Sequence, residues 1–259
     1  MSPTWPSPFL ALHRTLSARQ PLLTWFAWLM VACMVPAAGL LVLDDRIWRD
    51  VAIWAKPLKF MASTALFAAT TAWCVGLLPE ARRGSRTVRA LVWTVVLTSS
   101  FEVGYISLQA ALGEGSHHNV GDPLHAALFG LMAVAAVMLT ATQAVLAWLI
   151  ARHSADRAST LTRSVVIGLV LTFVLATVSG FLLGGQQPPA GTGLPLVGWH
   201  LGGPDARPAH FLGVHAQQLL PLAGWMLQQG RFQRPDVWLT AGTVGYVGLW
   251  AALMQAALA

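Results

Sequence analysis

The chain has 259 residues, of which 56% are apolar and only 10% charged, and it carries a net charge of +6. Soluble domains hold about 25% charged residues, so this composition excludes an ordinary soluble fold and points to an integral membrane protein. The basic residues sit in short clusters between apolar runs, as topology signals do, which argues against a nucleic-acid-binding face.

Arg14 and Arg19 precede the first apolar run, residues 22–43. That run is longer than the apolar core of a signal peptide and ends in LVLDDRIW with no small-residue cleavage pattern, so it reads as a retained first span. A helix needs about 20 mainly apolar residues to cross a bilayer. Six more runs meet that need: residues 53–78, 90–112, 124–150, 164–183, 209–228 and 237–257. Uncharged runs of this length predict helices, because every backbone polar group in lipid needs an internal partner. They lack the alternation of a membrane barrel. The fold class expected is therefore an all-α integral membrane protein, a single domain over residues 1–259 built as a bundle of seven transmembrane helices. Its longest connector, residues 184–208, is rich in Gly and Pro.

Lysine and arginine set the orientation. Arg14, Arg19, Arg82, Arg83, Arg86, Arg89, Arg152, Arg157, Arg163, Arg231 and Arg234 fall on one side of the alternating spans. Arg46, Arg49, Lys56, Lys59 and Arg207 fall on the other. The positive-inside bias then predicts a cytoplasmic N-terminus and an outside C-terminus, for a multi-pass protein of the cell membrane, the inner membrane in a bacterium. Cys33 and Cys74 lie within apolar runs and read as packing residues. Glycines at 242, 245 and 248, and at 180 and 184, permit close helix approach.

The polar residues of the spans gather towards the outer side. Six of the eight histidines, at positions 117, 118, 125, 200, 210 and 215, map there. Glu102 lies about 15 Å below the outer end of its span, at roughly 1.5 Å per residue, and shares a stripe with Tyr105 and Gln109. His215 lies about 9 Å deep in the sixth span, with Gln217 and Gln218 just beyond. Lys56 and Lys59 enter from the same side on one face, and His125 opens the fourth span. These residues are expected to meet in one outward-facing pocket. Glu102 is the leading catalytic residue, because an ionisable group inside the bilayer normally faces the bundle interior and has a partner. Its simplest structural role is an ion pair with Lys59 that ties two helices together.

His215 is the second catalytic expectation. His118, His125, His210 and His215 are the expected metal ligands, and Lys56, Lys59, Tyr105, Gln109, Gln217 and Gln218 the ligand-binding set. Imidazole with one carboxylate suits iron, copper or zinc, and haem can be held between histidines of a helical bundle. The leading expectation is thus a metal- or haem-dependent redox function. The alternative is a metal-free pocket that binds or transports a small anionic or amphipathic ligand. The bilayer itself is the expected partner. Asp205 and Arg207 read as a local ion pair at a helix start, with Pro208 in the first turn, and Trp48, Trp54 and Trp199 as interfacial anchors.

Seven spans with the N-terminus inside resemble the progestin and adiponectin receptor–ceramidase superfamily in helix count and orientation. The last span lacks that superfamily's histidine pair. It also lacks the lysine that a retinal Schiff base requires, so no residue roles carry over.

Overall fold

A computed structural model describes residues 7–191, 193–194, 198–230 and 232–259. Among these residues the chain forms nine helices: α1 (Pro8–Arg19), α2 (Pro21–Leu43), α3 (Ala55–Val75), α4 (Glu80–Arg83), α5 (Arg86–Leu112), α6 (Pro123–His153), α7 (Thr160–Gly185), α8 (Arg207–Gln229) and α9 (Pro235–Leu258). A small antiparallel hairpin, β1 (Ile47–Trp48) and β2 (Val51–Ala52), sits between α2 and α3.

Local chemistry sets the helix ends. Pro8, Pro21, Pro123, Pro208 and Pro235 occupy first-turn positions, where a missing N–H costs nothing. The side chains of Ser85, Asp122 and Ser159 accept from the exposed N–H groups of α5, α6 and α7. Helix α5 stops at Gly113, whose φ of 83° suits glycine and closes the end with a left-handed turn.

Six helices, α2, α3, α5, α6, α7 and α9, are long and apolar enough to cross a membrane. The seventh expected span, α8, has 23 residues but is not among the six. His210, His215, Gln217 and Gln218 lower its apolar content. Its polarity is nevertheless turned inward. Gly213, Ala216, Gln217 and Gly224 are buried, whereas Phe211, Leu219, Leu222, Trp225 and Met226 are exposed.

Helix α8 runs antiparallel and flush against α7. His210 lies beside Gly180, Gly213 beside Ala176, Gln217 beside Thr172, and Gly224 beside Ser164. Glycine makes this approach possible. A Cβ at Gly213 would lie 2.7 Å from the Ala176 backbone nitrogen, and one at Gly168 would lie 2.7 Å from the Ala216 carbonyl oxygen. Both obstacles are backbone, so a larger residue would have to push the helices apart. The glycines named from the sequence play no such part. Among the described residues a Cβ at Gly184, Gly242, Gly245 or Gly248 would meet nothing within 4 Å, and one at Gly180 would meet only the His210 ring.

The two ends of the bundle differ. At one end Arg19 donates to the Trp73 carbonyl, Arg83 to the carbonyls of Gly76 and Leu78, and Arg163 pairs with Asp236 at 2.6 Å. All the described arginines assigned to the cytoplasmic side by sequence belong to helices or connectors of this end; Arg231 lies outside the described residues. The main apolar core, with Leu23, Val75, Val95, Leu146, Ile150 and Leu169, fills the adjoining half. At the opposite end the connectors 44–54, 113–122 and 186–206 come together. Arg46 donates to the Ala111 carbonyl, His118 contacts the Leu183 carbonyl, and Arg49 donates to the Pro188 carbonyl.

Candidate functional site

The connector-rich end holds a half-open cavity of about 270 Å³. Its floor includes Phe60 on α3 and Ile106 on α5, and Trp48 of the hairpin forms part of its wall. Arg49, Lys56, Lys59 and Arg207 line it with His117 and His118, whereas Glu114 is the one carboxylate among its described lining residues. Glu114 is itself engaged by His125, at 3.1 Å.

Each cation is delivered by a different local device. Lys56 and Lys59 stand one turn apart at the start of α3. Arg49 sits with Asp50 in the two-residue turn of the hairpin, at φ values of 52° and 64°. Positive φ at both central positions is the turn geometry that matches strand twist and that usually draws Asn-Gly. Here it is adopted by Arg and Asp, at a cost of about 1–2 kcal/mol per residue. Contacts hold it: Arg49 Nη2 donates to the Pro188 carbonyl at 2.6 Å, and the Arg49 carbonyl accepts from the Gly191 N–H at 3.2 Å.

Arg207 is fixed by Asp205. Its Nε donates to Oδ1 at 2.8 Å and its Nη2 to Oδ2 at 2.7 Å. Burial opposes ionisation of Asp205, but the Arg207 guanidinium and the N–H groups of His200 and Arg207 hold its carboxyl below the usual range. Among the described residues Arg207 Nη1 has no hydrogen-bond partner, and Arg207 lies within electrostatic reach of Lys59.

Burial favours the neutral form of both cavity histidines. Burial pushes the His117 imidazole well below its usual value and nearby Lys56 pushes it the same way, against a hydrogen bond at Ser116 that raises it. Its ring lies between Phe60 and Phe129. His118 is also lowered, chiefly by burial, although its contact with the Leu183 carbonyl opposes the shift.

The residues expected to meet in one pocket are divided by the structure. Lys56, Lys59 and His118 line the cavity. His125 lies outside its lining, bonded to Asp122 and Glu114 at the start of α6. Tyr105 and Gln109 share the expected stripe and bond to each other at 2.8 Å, buried within the bundle. Glu102 is half-buried on α5 and makes no salt bridge with Lys59; no ion pair involves it among the described residues. His210 bonds to Ser179 on α7 at 3.1 Å. His215 bonds to Gln218 at 3.2 Å, Gln218 reaches Thr70 on α3 at 3.1 Å, and the Gln217 N–H donates to Thr172 at 2.9 Å. Among the described residues no group of three or more His, Cys, Asp and Glu side chains is placed to hold a metal ion.

Sequence reasoning missed Arg49, His117 and Arg207 as cavity residues. The run GEGSHHN carried a usable signal for His117, two adjacent imidazoles in a short connector. Nothing in the sequence marks the fold-back of Arg49. Trp54 is no free interfacial anchor either: it is buried, and its indole N–H donates to Asp44 at 2.7 Å. The Asp205–Arg207 pair is present as expected. No family model, no curated protein and no solved structure matches this chain.

Proposed function

We propose that this multi-pass membrane protein spans the bilayer seven times, with its N-terminus cytoplasmic and its C-terminus outside, and that its outward-facing cavity binds an anionic group. Helix α8 is the seventh span. It lies flush along α7 from Gly180 to Ser164, turns small and polar residues inward, and presents bulky apolar ones outward. That is the pattern of a helix whose outer face meets lipid. The arginine-rich end then faces the cytoplasm.

The observation that carries the ligand class is the charge balance of the cavity. Arg49, Lys56, Lys59 and Arg207 line it with Glu114, which His125 engages, while Asp205 outside the lining neutralises Arg207, so that basic groups outnumber carboxylates. Like charges gathered in a partly desolvated space repel, and an anion entering it relieves that repulsion. A forked guanidinium beside ammonium groups suits a carboxylate or phosphate. The volume fits a head group or a small free anion, with Trp48 and Phe60 supplying apolar contact. Native mass spectrometry of protein extracted in a neutral detergent tests this. An anionic molecule bound to the wild type and absent from Lys56→Met/Arg207→Gln supports the reading; equal retention by both proteins contradicts it.

A second reading, iron, copper, zinc or haem at the histidines, has one specific support. The Ser179 hydroxyl gives its proton to the Leu175 carbonyl, so it accepts from His210 Nδ1, and in the neutral ring this leaves the lone pair on His210 Nε2. A neutral imidazole nitrogen of this kind is the form that binds metals. Elemental analysis and an absorption spectrum of purified protein test it: stoichiometric metal or a Soret band supports it, and their absence rejects it.

A further inference from the structure

Away from the cavity, the middle of the bundle carries a belt of amide and hydroxyl side chains. Thr70 and Thr71 stand side by side on α3. Gln218 of α8 donates to the Thr70 hydroxyl, and Gln143 of α6 donates to Thr71 at 3.4 Å and to Thr142 at 3.0 Å. On the other side of α8, the Gln217 N–H reaches Thr172 of α7. Four helices are thereby joined at one level.

The bonding pattern fixes how two of the amides point. Thr71 gives its hydroxyl proton to the Phe67 carbonyl at 2.8 Å, and Thr142 gives its own to the Leu139 carbonyl at 2.6 Å. Both oxygens can only accept from Gln143, so its NH₂ group is turned towards them. The NH₂ group of Gln217 faces the Val214 carbonyl at 3.3 Å, another group that only accepts. Flipping either amide would set oxygen against oxygen. The Oε1 atoms of Gln143 and Gln217 therefore point elsewhere. Both side chains are fully buried at 0% exposure, and among the described residues neither oxygen has a hydrogen-bond donor. The Ser99 hydroxyl on α5 is in the same state, on a stripe that runs from cavity-lining Ile106 past Glu102.

A buried carbonyl without a donor is strongly unfavourable inside a membrane, where bulk water cannot reach it. Two such carbonyls in a belt that is already polar mark a site for a neutral donor small enough to enter a packed bundle. We propose that this belt is an internal water-binding site, whose waters donate to Gln143 Oε1 and Gln217 Oε1. Its water ties α3, α6, α7 and α8 together and hydrates the region between His215 and Ser99. The site is separate from the cavity and does not depend on what the cavity binds.

Two measurements on the full-length protein in nanodiscs test the site. Radiolytic hydroxyl footprinting labels side chains beside bound water even where bulk solvent is excluded. Leu220 lies one turn from Gln217 and is shielded from solvent, at 4%; Leu23, at 0%, packs in the core of the arginine-rich half. Leu220 is expected to be modified at least three-fold faster than Leu23. The melting temperatures of Gln143→Met and Gln217→Met are expected to fall, because each change removes an acceptor that water satisfies. Modification no faster than at Leu23, or a rise in either melting temperature, overturns the proposal. The footprint is read on the wild type, so it decides the question even where a variant fails to assemble.

Discussion

Asp205 grips Arg207 at two points, Oδ1 to Nε at 2.8 Å and Oδ2 to Nη2 at 2.7 Å, and leaves Nη1 outside that grip. The carboxylate is fully buried, whereas the arginine keeps a quarter of its side chain open, at 27%. The pair therefore acts as a bracket that aims one cation of the cavity. Asp205→Asn keeps the shape but removes the charge and one acceptor. It is expected to destabilise the fold by about 2 kcal/mol, the usual scale for a charged hydrogen bond lost from a buried site. It is also expected to weaken anion binding several-fold. Denaturation of the reconstituted protein and a binding isotherm read the two effects separately, and an unchanged isotherm would show that Arg207 needs no bracket.

The close approach of α7 and α8 gives a pair of opposite expectations. Gly213→Ala sets a methyl group 2.7 Å from the Ala176 backbone nitrogen and should cost about 1–3 kcal/mol, as overpacking does. Gly245→Ala meets nothing within 4 Å and should be neutral, or stabilising by up to ~1 kcal/mol through helix propensity. Thermal unfolding of both variants in one detergent checks the contrast. Equal effects would contradict the packing of α8 against α7.

Orientation is read by labelling. In a Cys33→Ala/Cys74→Ala background, Val120→Cys lies in an exposed connector of the cavity end and Arg157→Cys in an exposed connector of the arginine-rich end. An impermeant thiol reagent applied to intact cells should modify position 120 and leave position 157 untouched until the membrane is opened. The reverse pattern would turn the cavity to the cytoplasm.

Much of this architecture is legible in the chain. The helix starts are marked by prolines and capping residues, and the six helices long and apolar enough to cross a membrane, together with α8, lie within a few residues of the expected runs. The polar residues of α8 mark a helix whose buried face differs from its exposed face. Depth was legible but direction around each helix was not. His215 and Lys56 lie towards the same end of the bundle, yet His215 joins Gln218 and Thr70 while Lys56 lines the cavity. The turn at Arg49 was hidden because two-residue strands leave no periodicity to count and because Arg-Asp is not a usual turn pair. The Lys59–Glu102 pairing failed for the same reason: similar depth does not place two charges within reach.

Acid should loosen the cavity end. His117 is held neutral below its usual value near 6.5, so the unfolded chain binds a proton there before the folded one does. Stability from this group is complete above about pH 6.5 and declines as the pH falls towards the lowered folded value. Melting temperatures should be level from pH 8 to 7 and fall below that, and His117→Gln should flatten the decline. A wild-type profile that rises on acidification would contradict the neutral assignment.

The central claim is that the cavity is built for an anion, and calorimetric titration tests it most directly. Wild-type protein in a neutral detergent would be titrated with dodecyl phosphate, with inorganic phosphate and with dodecyltrimethylammonium, and the first two titrations repeated on Lys56→Met and Arg207→Gln. Saturable binding of a phosphate, weakened about ten-fold in each variant, with no binding of the cationic amphiphile, is the predicted result. Stronger binding of the dodecyl compound identifies a lipid-like ligand, and equal binding of inorganic phosphate a free anion. Comparable affinity for both amphiphiles, or phosphate binding unchanged by either substitution, would contradict the account.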